Sequence, residues 1–94
     1  MHTYYVYIMT NKNKTVLYIG VTNDLHRRVY EHATGAVKGF SHRYNCHYLV
    51  WFEEFNEIDQ AIEREKELKK WRREKKDALI ASKNPGWFFL NDEL

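Results

Sequence analysis

Apolar residues along this chain gather in three short runs separated by polar turns and by stretches of helical period. Thr3–Met9 (TYYVYIM) is β-branched and aromatic throughout, which predicts a first strand. Asn11-Lys12-Asn13-Lys14 is a polar turn, and Thr15–Gly20 (TVLYIG) predicts a second strand. So short a connection favours an antiparallel hairpin. Thr22, Asn23 and Asp24 then offer N-caps for a helix over residues 24–33, with Leu25 and Val29 on its buried face. Tyr48–Phe55 (YLVWFEEF) predicts a third strand. Asn56, with Asp59 three residues on, is the expected cap of a second helix whose apolar stripe is Ile58, Ala61, Ile62 and Leu68.

The remaining segments are less periodic. Thr34–Cys46 carries two glycines and no clear period, and reads as a long loop. Trp71 to Ser82 predicts a third helix or a bent continuation of the second, with Trp71, Ala78, Leu79 and Ile80 inward. Asn84-Pro85-Gly86 ends it, and Trp87-Phe88-Phe89 is expected to dock back on the core. The expected class is therefore α/β (α+β): a three-stranded sheet flanked by helices in the order β-β-α-β-α-α. With 94 residues, one domain over 1–94 is expected.

Composition narrows the class further. A hydrophobic fraction of 44% and one proline exclude a disordered or collagen-like chain. One cysteine, Cys46, excludes an intramolecular disulfide and a multi-cysteine zinc site. No apolar run approaches the ~20 residues of a membrane span, and no charged leader precedes an apolar block, so a cytoplasmic protein without membrane contact is expected. The net charge of +2 is an average over uneven segments. Residues 11–47 and 62–83 are basic, whereas Glu53, Glu54, Glu57 and Asp59 lie between them. Such a layout suits a nucleic-acid binder, and equally an ordinary solvated surface.

Five residues stand out only in combination. Tyr7 and Tyr18 sit eleven apart on consecutive strands, where packed rings with wet hydroxyls are the ordinary reading. Arg28 and His32 are four apart on one helix face. Glu65 falls on the apolar stripe of the second helix, at Ile62+3 and Ala61+4. A carboxylate there needs a partner or a task, because burying it unpaired is costly. His42 and His47 flank Cys46 but lack the further ligands a metal site would need.

The segments Tyr5-Val6-Tyr7, Tyr18-Ile19-Gly20, the run from Gly20 through Thr22 and Leu25 to Arg28 and His32, and Ala61 to Glu65 together resemble the GIY-YIG nuclease family. The sequence looks in particular like the family's small single-domain bacterial members, and the Asn84-Pro85-Gly86-Trp87 ending resembles theirs. Tyr5 stands where the family's first glycine would be, and Tyr7 is retained. The resemblance implies a metal-dependent endonuclease hydrolysing DNA phosphodiester bonds, in DNA repair, recombination or processing. It implies one Mg²⁺ or Mn²⁺ per active site, held by Glu65, with Arg28 on the scissile phosphate. Tyr7 is the first choice of general base and Tyr18 the second. His32 would orient a tyrosine, donate to the phosphate or shuttle a proton.

Lys38, His42, Arg43 and Lys69 are expected to touch phosphates, and Asn84 either bonds the substrate or caps its own turn. So small a domain leaves little surface for base readout, so structure-selective or weakly sequence-specific cleavage is expected. RNA as a further substrate, a monomer or a homodimer, and a targeting protein partner all stay open. The alternative is a non-catalytic nucleic-acid-binding module of the same fold.

Overall fold

The computed structural model describes residues 2–94, and the order expected from the sequence is the order observed. Strand β1 (Tyr4–Thr10) is central, with β2 (Leu17–Thr22) on one side and β3 (Tyr48–Phe55) on the other, both antiparallel. The hairpin between β1 and β2 is closed by Asn11, whose side-chain oxygen accepts from the amides of Thr15 (2.8 Å) and Val16 (3.1 Å). That bond lets the chain reverse at Lys14, which takes a positive φ of 60°.

Because side chains alternate along a strand, the sheet buries both faces. On one face Val6, Ile8, Ile19, Val50 and Trp51 pack with Ala61, Leu68 and Ile80. These last come from helices α3 (Ile58–Lys70) and α4 (Arg73–Lys83). On the other face Tyr7, Met9 and Leu49 pack with Leu25 and Val29 of α1 (Leu25–Ala33) and with Cys46. A register shift between Ile8 and Met9 lets the neighbours Val50 and Trp51 face the same core. Among the described residues, no helix is long and apolar enough to cross a membrane.

Three local expectations are corrected, and one left open is decided. The loop over 34–46 contains a short helix, α2 (Phe40–Arg43), which starts at Gly39 with φ 95°. Glu57, not Asn56, is the N-cap of α3, and no side chain bonds that end. The second and third helices are separate, because Trp71 and Arg72 are both extended, with ψ of 149° and 159°. Ala78 faces solvent, and Ile80 is the buried residue of α4.

The tail docks through some of its aromatics only. Trp87 packs on the core and Phe89 stacks on Tyr48 at 4.2 Å, whereas Phe88 points outward. Asn84 holds this ending: its amide donates to the carbonyls of Val50 (3.0 Å) and Phe88 (2.9 Å) and accepts from the Phe88 amide (3.0 Å).

Candidate active site

Four elements bring five side chains to the α1 side of the sheet and its β2 edge. Tyr7 comes from the central strand, Tyr18 from β2, Arg28 and His32 from α1, and Glu65 from α3. Asp24 starts α1 by accepting from the Arg27 amide at 3.1 Å, which fixes where Arg28 and His32 emerge one turn apart. The rings of Tyr7, Tyr18 and His32 form a triangle with centroids 6.4, 5.5 and 5.1 Å apart.

Tyr7 lies over the backbone of β2, directly opposite Gly20. A Cβ at Gly20 would sit 2.6 Å from Tyr7 Cζ, so only glycine leaves room for the ring. The ring thereby reaches α1, where its hydroxyl is 2.9 Å from His32 Nε2. His32 is 1% exposed, and its other nitrogen, Nδ1, is 2.7 Å from Ser41 Oγ. Sequence reading missed Ser41, since it lies in the unperiodic segment and nothing in its spacing marks it. The available clue was indirect: a buried histidine needs partners for both ring nitrogens.

Electrostatics set the protonation states. Burial first, then Tyr18 and the Glu65 carboxylate, push the Tyr7 hydroxyl well above the ordinary tyrosine range, and the Arg28 guanidinium opposes them. Burial, with help from Arg28 and His47 and against Glu31, pushes the His32 imidazole down to about 4. His32 is therefore neutral at pH 7. The unfolded chain, with an ordinary histidine near pH 6.5, takes up a proton that the fold refuses. Stability is full above that value and is lost as pH falls from about 6.5 towards 4, by about 3 kcal/mol in total. The urea midpoint of the wild type should fall more steeply between pH 6.5 and 5 than that of His32→Gln. Parallel curves would show that His32 does not carry this linkage.

Other site residues are placed with less company. Arg28 makes a 3.3 Å pair with Glu31 at the surface, an interaction of the kind worth about 0–1 kcal/mol. Glu65 is mostly covered, with 18% of its side chain exposed, and faces Lys69 Nζ at 3.3 Å. Among the described residues no three His, Cys, Asp or Glu side chains converge as a metal cluster. Glu65 is nonetheless a hard oxygen donor, sheltered and paired only with an exposed lysine. That suits Mg²⁺, which binds through one or two carboxylates and completes its shell with water and phosphate oxygens. Cys46 is fully buried and its thiol is pushed up to about 11 by burial, so it is no nucleophile.

Beside the triangle lies a patch of different character. Phe40 of α2 stacks near Tyr18, with centroids 6.4 Å apart, and meets Tyr44 at 4.6 Å. Phe40 is 50% and Tyr44 43% exposed, and Lys38, His42 and Arg43 stand exposed around them. The second basic stretch is partly tied down. Arg64 pairs with Glu53 and Glu67, and Arg73 bonds Asp77 and the carbonyls of Lys14 and Thr15. Asn84 has its amide engaged by backbone in the tail, as described.

A tyrosine on each of two neighbouring strands, an arginine and a histidine on the next helix and a glutamate on a later one are the residues on which the sequence resembles one nuclease family. The GIY-YIG catalytic domain family model matches residues 3–77, and the chain belongs to that family. Its relatives include UPF0213 proteins of Haloquadratum walsbyi, 40% identical over 81% of this chain and 84% of the relative, and of Clostridium perfringens, 38% identical over 85% of each. The solution NMR structure of a UPF0213 protein from Bacillus halodurans shares the fold, with a TM-score of 0.59 and 30% identity over 90% of this chain and 89% of that one.

Proposed function

We propose that this chain is a divalent-metal-dependent endonuclease that hydrolyses DNA phosphodiester bonds, structure-selectively or with weak sequence preference, in DNA repair, recombination or processing. The observation that carries the reading is the Tyr7 hydroxyl held 2.9 Å from a buried, neutral His32, within the field of Arg28 and Glu65. Membership of a nuclease family supports the same chemistry.

Tyr7 is the proton acceptor for the attacking water in this reading. Its hydroxyl is a poor base by itself, because burial holds it protonated. It becomes competent by handing its own proton to His32 Nε2 as it takes one from water. The water oxygen forms the new bond to phosphorus, the bond from phosphorus to the leaving sugar oxygen breaks, and that oxygen is protonated by solvent. Arg28, whose guanidinium stands by the Tyr7 hydroxyl and makes a weak surface pair with Glu31, turns to two phosphate oxygens and stabilises their growing charge. Glu65 would hold Mg²⁺ or Mn²⁺, one per site, and the bound ion supplies further charge stabilisation on the phosphate.

Lys38, His42, Arg43 and Lys69 bear on the DNA backbone, and Phe40 and Tyr44 offer faces on which exposed bases stack. The Asn84 amide is a brace for the tail rather than a substrate contact, given its three backbone bonds.

The test is a cleavage panel of single-stranded, duplex, flap and four-way DNA, with RNA alongside, with Mg²⁺ or Mn²⁺ and with a chelator. Cleavage of at least one substrate that stops on metal removal is the expected result. Intact substrates throughout at high protein concentration, with salt-dependent binding preserved, would make the chain a binding module instead.

A further inference from the structure

We propose that Ser41 is a positioning residue of this site: it fixes the tautomer of His32 so that Nε2 stays open to receive the Tyr7 proton. The proposal rests on the nuclease reading above and adds a residue that the reading does not contain.

The argument starts from hydrogen-bond supply. A neutral imidazole has one N–H, and which nitrogen carries it follows from the partner of the other. Ser41 Oγ lies 2.7 Å from Nδ1 and 3.4 Å from the Cys46 carbonyl, and the Tyr7 hydroxyl lies 2.9 Å from Nε2. With the hydrogen on Nδ1, three bonds form in one direction. Tyr7 donates to Nε2, Nδ1 donates to Ser41, and Ser41 donates to Cys46. With the hydrogen on Nε2, Ser41 must donate to Nδ1, so the Cys46 carbonyl loses it and the Tyr7 proton has no acceptor in the chain. Three bonds against two select the first tautomer, the one that can accept from Tyr7.

The local backbone is built to deliver this serine. In α2, Phe40, His42 and Arg43 are exposed, whereas Ser41 is 2% exposed and is the helix's buried residue. Gly39, at φ 95°, turns the chain into α2, and the Cys46 amide donates back to the Ser41 carbonyl at 2.9 Å. Both ends of the turn thus hold Oγ against the ring. When His32 takes the Tyr7 proton, its Nδ1–H still donates to Ser41, so the relay survives the charged state. The groups around that charge are Arg28 and Glu31 on α1, His47 before β3, Tyr7 on β1 and Tyr18 on β2.

The experiment reads the tautomer directly, by ¹⁵N NMR of the histidine ring nitrogens at neutral pH in wild type, Ser41→Ala, Ser41→Thr and Ser41→Cys. Wild type is expected to show His32 with the hydrogen on Nδ1. Ser41→Ala should give a mixed or inverted tautomer and lower kcat about tenfold or more with KM little changed. Ser41→Thr, which keeps the hydroxyl, should restore both. If Ser41→Ala does not fold, the wild-type tautomer and Ser41→Cys, with its weaker donor, decide the matter. Wild type with the hydrogen on Nε2, or Ser41→Ala with unchanged tautomer and kcat, overturns the proposal. A wild type with the expected tautomer that cuts no substrate instead refutes the nuclease reading, and leaves Ser41 a structural contact.

Discussion

Tyr7→Phe is expected to lower DNA cleavage by about 10²–10⁴-fold, the usual contribution of a positioned proton acceptor. Phenylalanine keeps the ring that packs over Gly20 and removes only the hydroxyl that meets His32. It also leaves His32 Nε2 without that partner in a buried site, which costs about 1–3 kcal/mol of stability. Folding and catalysis are therefore to be measured together, by thermal unfolding and by single-turnover cleavage at a temperature where the variant is folded. Tyr18→Phe is the control, since Tyr18 is only half-buried and its ring touches His32 without the same hydroxyl contact. A Tyr18→Phe loss as large as that of Tyr7→Phe, or larger, would move the proton acceptor to β2.

Glu65→Ala is the second variant with a large expected effect, on cleavage and on metal dependence at once. The side chain is mostly covered yet its partner is an exposed lysine, so little of the fold depends on it. Removing it deletes the carboxylate proposed to hold the ion. Cleavage should fall by at least 10²-fold, the scale of losing a main electrostatic stabiliser. Excess Mg²⁺ or Mn²⁺ should recover little of it. Binding to uncut DNA should persist, because the exposed cations near α2 are untouched. The Lys69 partner gives a further check: Lys69→Ala should weaken DNA binding modestly and leave kcat within a few-fold, as expected when one phosphate contact and a weak surface pair are removed. Wild-type cleavage rates in Glu65→Ala would remove the carboxylate from the mechanism.

Much of this was legible in the chain itself, for identifiable reasons. The strands were marked by β-branched and aromatic runs, and the helices by residues such as Leu25, Val29, Ala61 and Leu68 at helical spacing. Glu65 stood out because its position on an apolar stripe conflicted with its charge, and it is indeed mostly covered. Features governed by backbone geometry were not legible. The turn at Trp71–Arg72 has neither glycine nor proline, so the sequence left a bent helix and two helices equally open. Helix α2 depends on Gly39 and on one buried serine, too little to produce a period. Ala78 is expected inward, but the helix containing it starts afresh at Arg73 and turns it to solvent. Ser41 was hidden for the same reason as α2: its meaning lies in the partner it meets, nine residues back in the chain.

The close approach of Tyr7 to Gly20 makes the two signature triplets a single interlocking part. The tyrosine of the first needs the bare backbone of the second, since any side chain there would meet its ring. The glycine that this chain lacks, at Tyr5, has no such duty, because Tyr5 pairs with Thr22 and sets its ring edge-on to Phe52 at 6.3 Å. A search for further chains of this kind should therefore weight the tyrosine–glycine pair across the hairpin and forgive the leading glycine. Judged by that pair, a departure of the Tyr5 kind leaves the contact between the two triplets whole.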